Sequence, residues 1–383
     1  MKIAIVYDCI FPWTIGGAER WYRNLAERLA AAGHDVTYLT LRQWDATDPP
    51  QIPGVEVIAV GPRLALYSEG KRRISPPVRF GWGVFLHLLR HGARYDRVHL
   101  ASFPFFSLLA IGLLLPVARY RIAVDWHEVW TSEYWRAYLG PLGKIGVLVQ
   151  RLCARIPQKP YAFSRLHAAR ARDLGCREPV TILTGEFAGS ASAGFDAADP
   201  PVFVYAGRLI PEKRVSLLID AFALLRKRKP DARLTIFGRG PEEEAIGAQI
   251  ALLGLDHAAR LAGFVAEADI EEAMARAVAI VQPSEREGYG MVVVEAASRG
   301  VPVVVVDAPD NATVELVDAG RNGFIADNAN PTALADAMNA VLTAGAPLRA
   351  RTRDWFADNQ TRLSIDHSLS VILADMEAEK DRI

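Results

Sequence analysis

Glu287 and Glu295 stand eight positions apart in Glu287-Gly288-Tyr289-Gly290-Met291-Val292-Val293-Val294-Glu295, where a glycine-punctuated loop runs into an apolar helical stretch. The spacing predicts Glu287 in the loop at a helix N-terminus and Glu295 about two turns further on. A helix N-terminus presents unpaired N–H groups and a positive dipole end, which suits phosphate. Carboxylates beside such an anion cradle make electrostatic sense when they grip neutral hydroxyls on either side of it. A nucleotide-diphosphate sugar has that layout, with sugar hydroxyls, a diphosphate and then ribose hydroxyls. Sugar transfer from such a donor is the chemistry this segment predicts.

A second cluster, Gly207-Arg208-Leu209-Ile210-Pro211-Glu212-Lys213, follows the apolar run Val202-Phe203-Val204-Tyr205. A strand end, a glycine turn and two cations five apart can converge positive charge on one point. Arg supplies a fixed fork of donors and Lys a compact charge, a combination suited to a leaving diphosphate.

The elements that must position these residues fall into two halves similar in kind but not in sequence, with no short internal repeat. Short β-branched runs alternate with amphipathic stretches, the pattern of a parallel sheet covered on both faces. In the first half, strands are predicted at 2–7, 35–40, 55–60, 97–100, 121–125 and 180–183, with helices at 18–32, 78–92, 104–117 and 133–155. A Gly-, Ala-, Ser- and Asp-rich stretch, 185–201, reads as a linker. The second half predicts strands at 202–205, 233–237, 278–282, 302–306 and 323–326. Its helices fall at 214–228, 241–253, 290–299 and 331–343, and residues 351–380 read as helical. The expected fold is therefore α/β, with two doubly wound, Rossmann-like domains facing each other across a cleft. Ligands of such sheets bind beyond the carboxyl ends of the strands.

Bulk composition agrees with this plan. At 383 residues the chain exceeds the usual growth of one core, and 51% apolar with 23% charged residues is ordinary globular composition. Net charge is zero, yet residues 1–190 carry 24 Lys and Arg against 15 Asp and Glu, and the remainder carries the reverse imbalance. The basic half is suited to an anionic partner, unless the two halves have simply drifted in charge. Cys9, Cys153 and Cys176 form no CxxC pair, which fits a reducing, cytoplasmic location. The chain opens directly on a strand-like run, so no signal peptide is expected. The longest apolar stretch, Phe103 to Ala118, is shorter than the ~20 residues that span a bilayer and contains Pro104 and Pro116.

The ordered set Gly207-Arg208…Lys213, Phe237-Gly238-Arg239-Gly240-Pro241, Gly263-Phe264-Val265 and Glu287-x7-Glu295 resembles the retaining glycosyltransferases of family four, which have the GT-B fold. Gly16-Gly17-Ala18-Glu19, His127-Glu128 and Ser164 with a helix ending at Gly175 match the N-terminal side of the pattern, so the resemblance covers nearly the whole chain. It implies an N-terminal acceptor-side domain, 1–187, rejoined by a C-terminal helix at about 362–383, and a donor-binding domain, 188–361. Arg208 and Lys213 would neutralise the donor diphosphate as the glycosidic bond breaks. Glu287 would hold hydroxyls of the transferred sugar and Glu295 those of the ribose. Backbone N–H groups of Gly290, Met291 and Val292 would face the phosphates. Gly238, Arg239, Gly240 and Phe264 would border the base pocket, with core packing the competing reading for Phe264. Gly16 and Gly17 would approach the donor from the opposite domain, or form only a turn before a helix. Glu19 would open that helix. His127 would contact the donor sugar near the reacting centre, with Asp125 and Glu128 tuning its protonation.

Retention by ordinary glycosidases uses two carboxylates, one of them a nucleophile. The resemblance implies instead a one-face reaction in which the departing phosphate helps to deprotonate the acceptor, so no enzymatic nucleophile is assigned. The chain contains no Asp-x-Asp motif, and cationic side chains can serve where Mg²⁺ does elsewhere; no metal and no other cofactor is expected. His87 and His91 lack the Glu of a zinc-protease motif and read as surface residues. Trp130, Tyr134 and Tyr138 recur every four residues, one stripe if helical, suited to stacking an acceptor sugar or to packing. Residues 71–97 hold seven Lys or Arg and one acid, Asp96, around an apolar helix. That stretch could lie peripherally on an anionic inner membrane face, as a lipid-linked acceptor requires, or be a solvated face. Nucleic acid is a poor partner for a chain of zero net charge without a recognised binding module. Many relatives carry Pro-Asn-Gly-hydrophobic-Asp before the linker, where this chain has Leu183-Thr184-Gly185-Glu186-Phe187. The acceptor stays open among glycan, lipid-linked and small-molecule hydroxyls, as in polysaccharide biosynthesis. A nucleotide-sugar epimerase of the same architecture and a non-catalytic sugar-binding scaffold are the competing readings.

Overall fold

The computed structural model describes residues 1–45, 47–68, 71–191 and 195–380; part of the expected linker, 192–194, lies outside them. The chain forms two units, Met1–Ala188 with Ser364–Ile383, and Gly189–Leu363. The sequence reading puts the corresponding breaks at 187/188 and 361/362.

In the first unit seven parallel strands are ordered Val55–Gly61, Asp35–Leu41, Lys2–Val6, Arg97–Ala101, Arg121–Trp126, Lys159–Ala162 and Thr181–Ile182. Six parallel strands of the second unit follow the same logic: Ala259–Gly263, Arg233–Phe237, Val202–Ala206, Ala279–Gln282, Val303–Val306 and Gly323–Ala326. Their composition follows from burial on both faces, since such strands read as continuous apolar runs rather than alternating ones. All four valines of Val303–Val306 are buried. In both sheets the first strand lies between the second and the fourth in sequence, ignoring short hairpins, so chain order reverses there. Loops leaving the carboxyl ends at that reversal diverge and leave room for a ligand.

Within these two sheets, two strands escape sequence reading, Lys159–Ala162 and Ala259–Gly263. The first contains Pro160, a poor strand former, and the second is rich in alanine and glycine. The expected helix 133–155 is broken into Ser132–Leu139, a 3-10 turn Gly140–Leu142 and Gly143–Arg155. Gly140 at φ 59° and Pro141 explain the break. The stretch Pro331–Leu363 is likewise interrupted at Gly345, φ 56°, just before Pro347.

The last helix, Ile365–Lys380, packs in the first unit. Glu379 accepts a 2.6 Å bond from Arg97, whose side chain is 1% exposed, while Asp375 takes bonds of 3.0 Å from both Lys159 and Tyr161. Asp366 pairs with Arg28 at 2.6 Å. Arg97, Lys159 and Tyr161 belong to sheet strands, so the helix supplies counter-charge to cations held against the sheet. Glu379→Ala leaves the buried Arg97 guanidinium short of its acceptor. A loss of roughly 1–3 kcal/mol in urea unfolding of the full chain is expected, with a smaller loss for Glu379→Gln.

Candidate functional site

In the second unit four strands deliver the expected residues to one edge. Val202–Ala206 leads to Gly207 and Arg208, Arg233–Phe237 to Gly238-Arg239-Gly240, Ala259–Gly263 to Phe264, and Ala279–Gln282 to Ser284 and Glu287. Backbone bonds join the first three turns: Gly207 N–H to the Phe237 carbonyl (3.1 Å), Leu209 N–H to Arg239 (3.0 Å) and Gly238 N–H to Gly263 (2.9 Å). So close an approach requires glycine. A Cβ on Gly238, φ 122°, would lie 1.9 Å from the Gly207 carbonyl oxygen, and one on Gly240 would lie 2.1 Å from that of Leu209. Phe264 is 68% exposed, so its core-packing reading is wrong. Arg208 and Arg239 are exposed as well.

Where chain order reverses, between Val202–Ala206 and Ala279–Gln282, the two following loops are tied together. Glu285 N–H donates to the Glu212 carbonyl (2.8 Å), Arg214 pairs with Glu285 (2.8 Å), and Lys213 Nζ lies 2.5 Å from Glu287 Oε1. Ser284 Oγ–H donates to that same carboxylate oxygen at 2.9 Å. Sequence reasoning assigned Lys213 and Glu287 to different parts of a donor without foreseeing that they pair. Both are half-buried, and a charge-assisted bond of this kind contributes about 1.5–3 kcal/mol. The backbone of Glu287 is itself fixed, because Arg286–Glu287 pairs in parallel with Asp310–Asn311. Asn311 then anchors that pairing by donating to the carbonyls of Ser284 (3.2 Å) and Val306 (2.9 Å).

Gly290 caps the helix Met291–Ser298 at φ 106°. The first-turn N–H groups of Met291 and Val292 are among those an α-helix cannot satisfy internally, so they are available to an anion. Glu295 lies one turn beyond Met291 in this half-buried helix segment. A Cβ on Gly290 would meet Thr313 Cγ2 at 2.9 Å in a backbone region that side chains avoid.

In the first unit Gly16 is the N-cap of the helix Gly17–Ala31, in extended conformation. The Glu19 carboxylate occupies the space a Gly16 Cβ would take, which fits compensation of the helix dipole. His127 follows the strand Arg121–Trp126. Its ring stacks on Phe163 (centroids 4.2 Å, interplanar 5°) and meets Tyr22 edge-on at 5.8 Å. Burial holds its pKa below the ordinary histidine value, against the opposing pull of the Asp125 and Glu128 charges. Asp125 is structural in its contacts: it accepts 2.8 Å bonds from His99 Nε2 and Trp21 Nε1. Burial pushes its carboxyl up, and the His99 interactions with the other contacts outweigh that and leave it lowered. His87 is half-buried and bonded to Tyr95 at 2.9 Å, not the surface residue expected.

The aromatic trio takes a different form from the expected single helical stripe. Trp130 precedes the N-cap Thr131 and lies outside the helix Ser132–Leu139 that carries Tyr134 and Tyr138. Its ring nevertheless contacts Tyr134 at 4.8 Å and Tyr138 at 5.2 Å, forming a half-buried cluster that extends to Phe103. Trp126 and Trp135 are buried in the core.

Gly290→Ala tests the anion cradle. It is expected to lower the thermal unfolding midpoint of the free protein and to reduce the additional shift given by a nucleoside diphosphate; an unchanged nucleotide shift would dissociate the helix start from phosphate.

Comparison with known proteins bears on both units. Residues 15–185 match the model of Glycosyltransferase Family 4, and residues 193–354 that of Glycosyl transferases group 1. The chain is 28% identical over 377 residues to the glycogen synthase of Mycobacterium tuberculosis, across 92% of this chain and 89% of the relative. Anabaena Alr3699/HepE in complex with UDP and glucose superposes with a TM-score of 0.74 at 20% identity, across 98% of this chain and 99% of that one. Sucrose-phosphate synthase from Thermosynechococcus elongatus gives 0.80 at 17% identity across the full length of both. With family-four and group 1 matches on successive halves and two parallel-sheet units like those of GT-B enzymes, this chain is a family-four-type glycosyltransferase.

Proposed function

We propose that the chain is a retaining, metal-independent glycosyltransferase that moves a sugar from a UDP- or GDP-type nucleotide sugar to a hydroxyl of a glycan, lipid-linked or small-molecule acceptor. The observation that carries this reading is the Lys213–Glu287 pair at the chain reversal of the second sheet, beside Arg208 and the glycine-capped helix start. An incoming donor exchanges partners there. Its diphosphate takes up Lys213, Arg208 and the N–H groups of residues 290–292, and the sugar hydroxyls take up the released Glu287 carboxylate. Positive charge fixed in advance where the phosphate gains charge stabilises the departing group, which is the task a metal ion performs elsewhere. Glu295 takes the ribose hydroxyls. Gly238, Arg239, Gly240 and the exposed Phe264 border the base, Gly16 and Gly17 approach the donor, and His127 is assigned the donor sugar. The UDP bound in the HepE structure agrees with a nucleotide donor.

The acceptor assignment draws on the first unit. Trp130, Tyr134 and Tyr138 offer a half-buried aromatic surface of the kind that stacks on sugar rings. On the helix Ser75–His91, Val78, Trp82 (61% exposed) and Leu89 are exposed, as are Ile74 before it and Phe106 and Leu113 on the adjoining helix. Arg73, Arg79 and Arg90 flank them. Apolar anchors with basic neighbours suit peripheral contact with an anionic membrane, where a lipid-linked acceptor would reside. No helix among the described residues is long and apolar enough to cross a membrane. The three free thiols suit a cytoplasmic location.

Lys213→Ala and Glu287→Ala are each expected to lower turnover about 100-fold or more in a protein that still folds, its unfolding midpoint lowered by several degrees at most through loss of the ion pair. Wild-type turnover in both would remove this site. A thermal-shift screen with UDP, GDP, ADP and TDP in EDTA should single out one nucleotide, and NMR of the product from its sugar conjugate should show the donor's anomeric configuration preserved. Vesicles rich in anionic lipid should co-sediment the protein at low salt, and Trp82→Glu should abolish this; equal binding by the variant would place the membrane contact elsewhere.

A further inference from the structure

His127 has a neighbour that the site assignments above leave unused. After the short strand Thr181–Ile182 the chain passes through Leu183-Thr184-Gly185-Glu186-Phe187, and the C-terminal helix region holds this segment on both sides of Glu186. Gly185 N–H donates to Ser368 Oγ at 3.1 Å, and Ile365 N–H donates to the Phe187 carbonyl at 2.9 Å. The Glu186 side chain is thereby turned inward. It is 5% exposed, and its Oε1 lies 3.8 Å from His127 Nδ1. That oxygen is buried without a hydrogen-bond partner, and so is His127 Nε2.

The ring itself is held by Phe163 and Tyr22 on two sides, so the position of its proton is the freedom that remains. The groups facing it are Asp125 from the strand just before it, Glu128 next to it in sequence, His99 from the neighbouring strand, Tyr22 from the helix Gly17–Ala31, and Glu186. Asp125 is committed through both oxygens to His99 and Trp21, and Glu128 Oε2 accepts from Trp130 at 3.0 Å. Of these three acids Glu186 alone has a buried, uncommitted oxygen. A separation of 3.8 Å is too long for a hydrogen bond, and rotation about the Glu186 side-chain torsions brings the pair into range.

We propose that Glu186 is a positioning residue for His127, donating a hydrogen bond from its carboxyl O–H to Nδ1 and so leaving the ring proton on Nε2. Burial, reinforced by the Asp125 charge, pushes the Glu186 carboxyl up to about 8, so it is a donor at neutral pH. Burial also keeps the imidazole neutral and able to accept. The sign follows: above pH ~8 the carboxylate can only accept, and Nδ1 must then carry the proton. The relevance of this to sugar transfer rests on the transferase reading above; the proton's position on the ring does not.

The test is long-range ¹H–¹⁵N correlation NMR on the full chain labelled with ¹⁵N-histidine, His127 being assigned by its loss in His127→Gln. At pH 7 the wild type and Glu186→Gln, whose amide also donates, should both show the Nε2–H tautomer. The wild type should convert to Nδ1–H through about pH 8, and Glu186→Gln should not. Glu186→Leu should lose the preference for Nε2–H and lower kcat about 10–100-fold, with Glu186→Gln within a few-fold of wild type. An Nδ1–H ring in the wild type at pH 7, or an alkaline conversion that persists in Glu186→Gln, would overturn the proposal even if Glu186→Leu fails to fold. If the tautomers behave as expected but no nucleotide sugar is turned over, the pairing stands and the transferase reading fails.

Discussion

Parallel strands covered on both faces are filled mostly by apolar side chains, and polar groups they carry, such as Arg97, His99 and Asp125, are spent on internal partners, so the groups left to meet a ligand stand in the turns that follow strands. This constraint explains where the candidate site residues of this chain lie. In the second unit, Arg208, Lys213, Gly238, Phe264, Glu287 and Gly290 are far apart in sequence yet all sit after the carboxyl ends of strands. The same rule puts Gly16 and His127 after strands of the first unit. In the second sheet the strands supply mainly apolar filling, while the turns are held by backbone bonds so close that glycine is the residue that fits at Gly238 and Gly240.

Two buried or half-buried ionic groupings show how the units use charge differently. Lys213 and Glu287 neutralise each other between two loops, and in the function proposed above a ligand with both phosphate and hydroxyls offers each a new partner. Arg97, Glu379, Tyr161 and Asp375 are locked between a sheet and a helix and serve to keep that helix in place. The difference lies in surroundings: the first pair joins two loops beyond the carboxyl ends of strands, the second lies under a packed helix.

Much of this was legible in the sequence because both signals are local. Strand–helix alternation comes from apolar runs, and the Glu287-to-Glu295 unit from a glycine turn before a helix, so both survive reading in one dimension. The Lys213–Glu287 pairing was not legible, since nothing in the sequence states which strands are neighbours across the reversal. Strand Ala259–Gly263 is invisible to sequence reading because alanine and glycine carry no strand signal, and four-residue spacing alone cannot show that the helix carrying Tyr134 and Tyr138 begins only at Ser132, after Trp130. Glu186 did leave a trace, an acid at a position the pattern fills with an apolar residue. Its meaning appeared only once His127 was seen 3.8 Å away.

The final helix, Ile365–Lys380, completes a unit that begins at Met1, while the second unit is a single uninterrupted segment lying between. This sets an order on biosynthesis. As the chain leaves the ribosome, residues 189–363 are fully synthesised and free to collapse before the first unit has its last piece. The first unit must wait, with Arg97 and the segment around Glu186 lacking their helix partners, until the helix Ile365–Lys380 has been made. A stop codon at Ser364 would therefore harm the half of the protein that was made first.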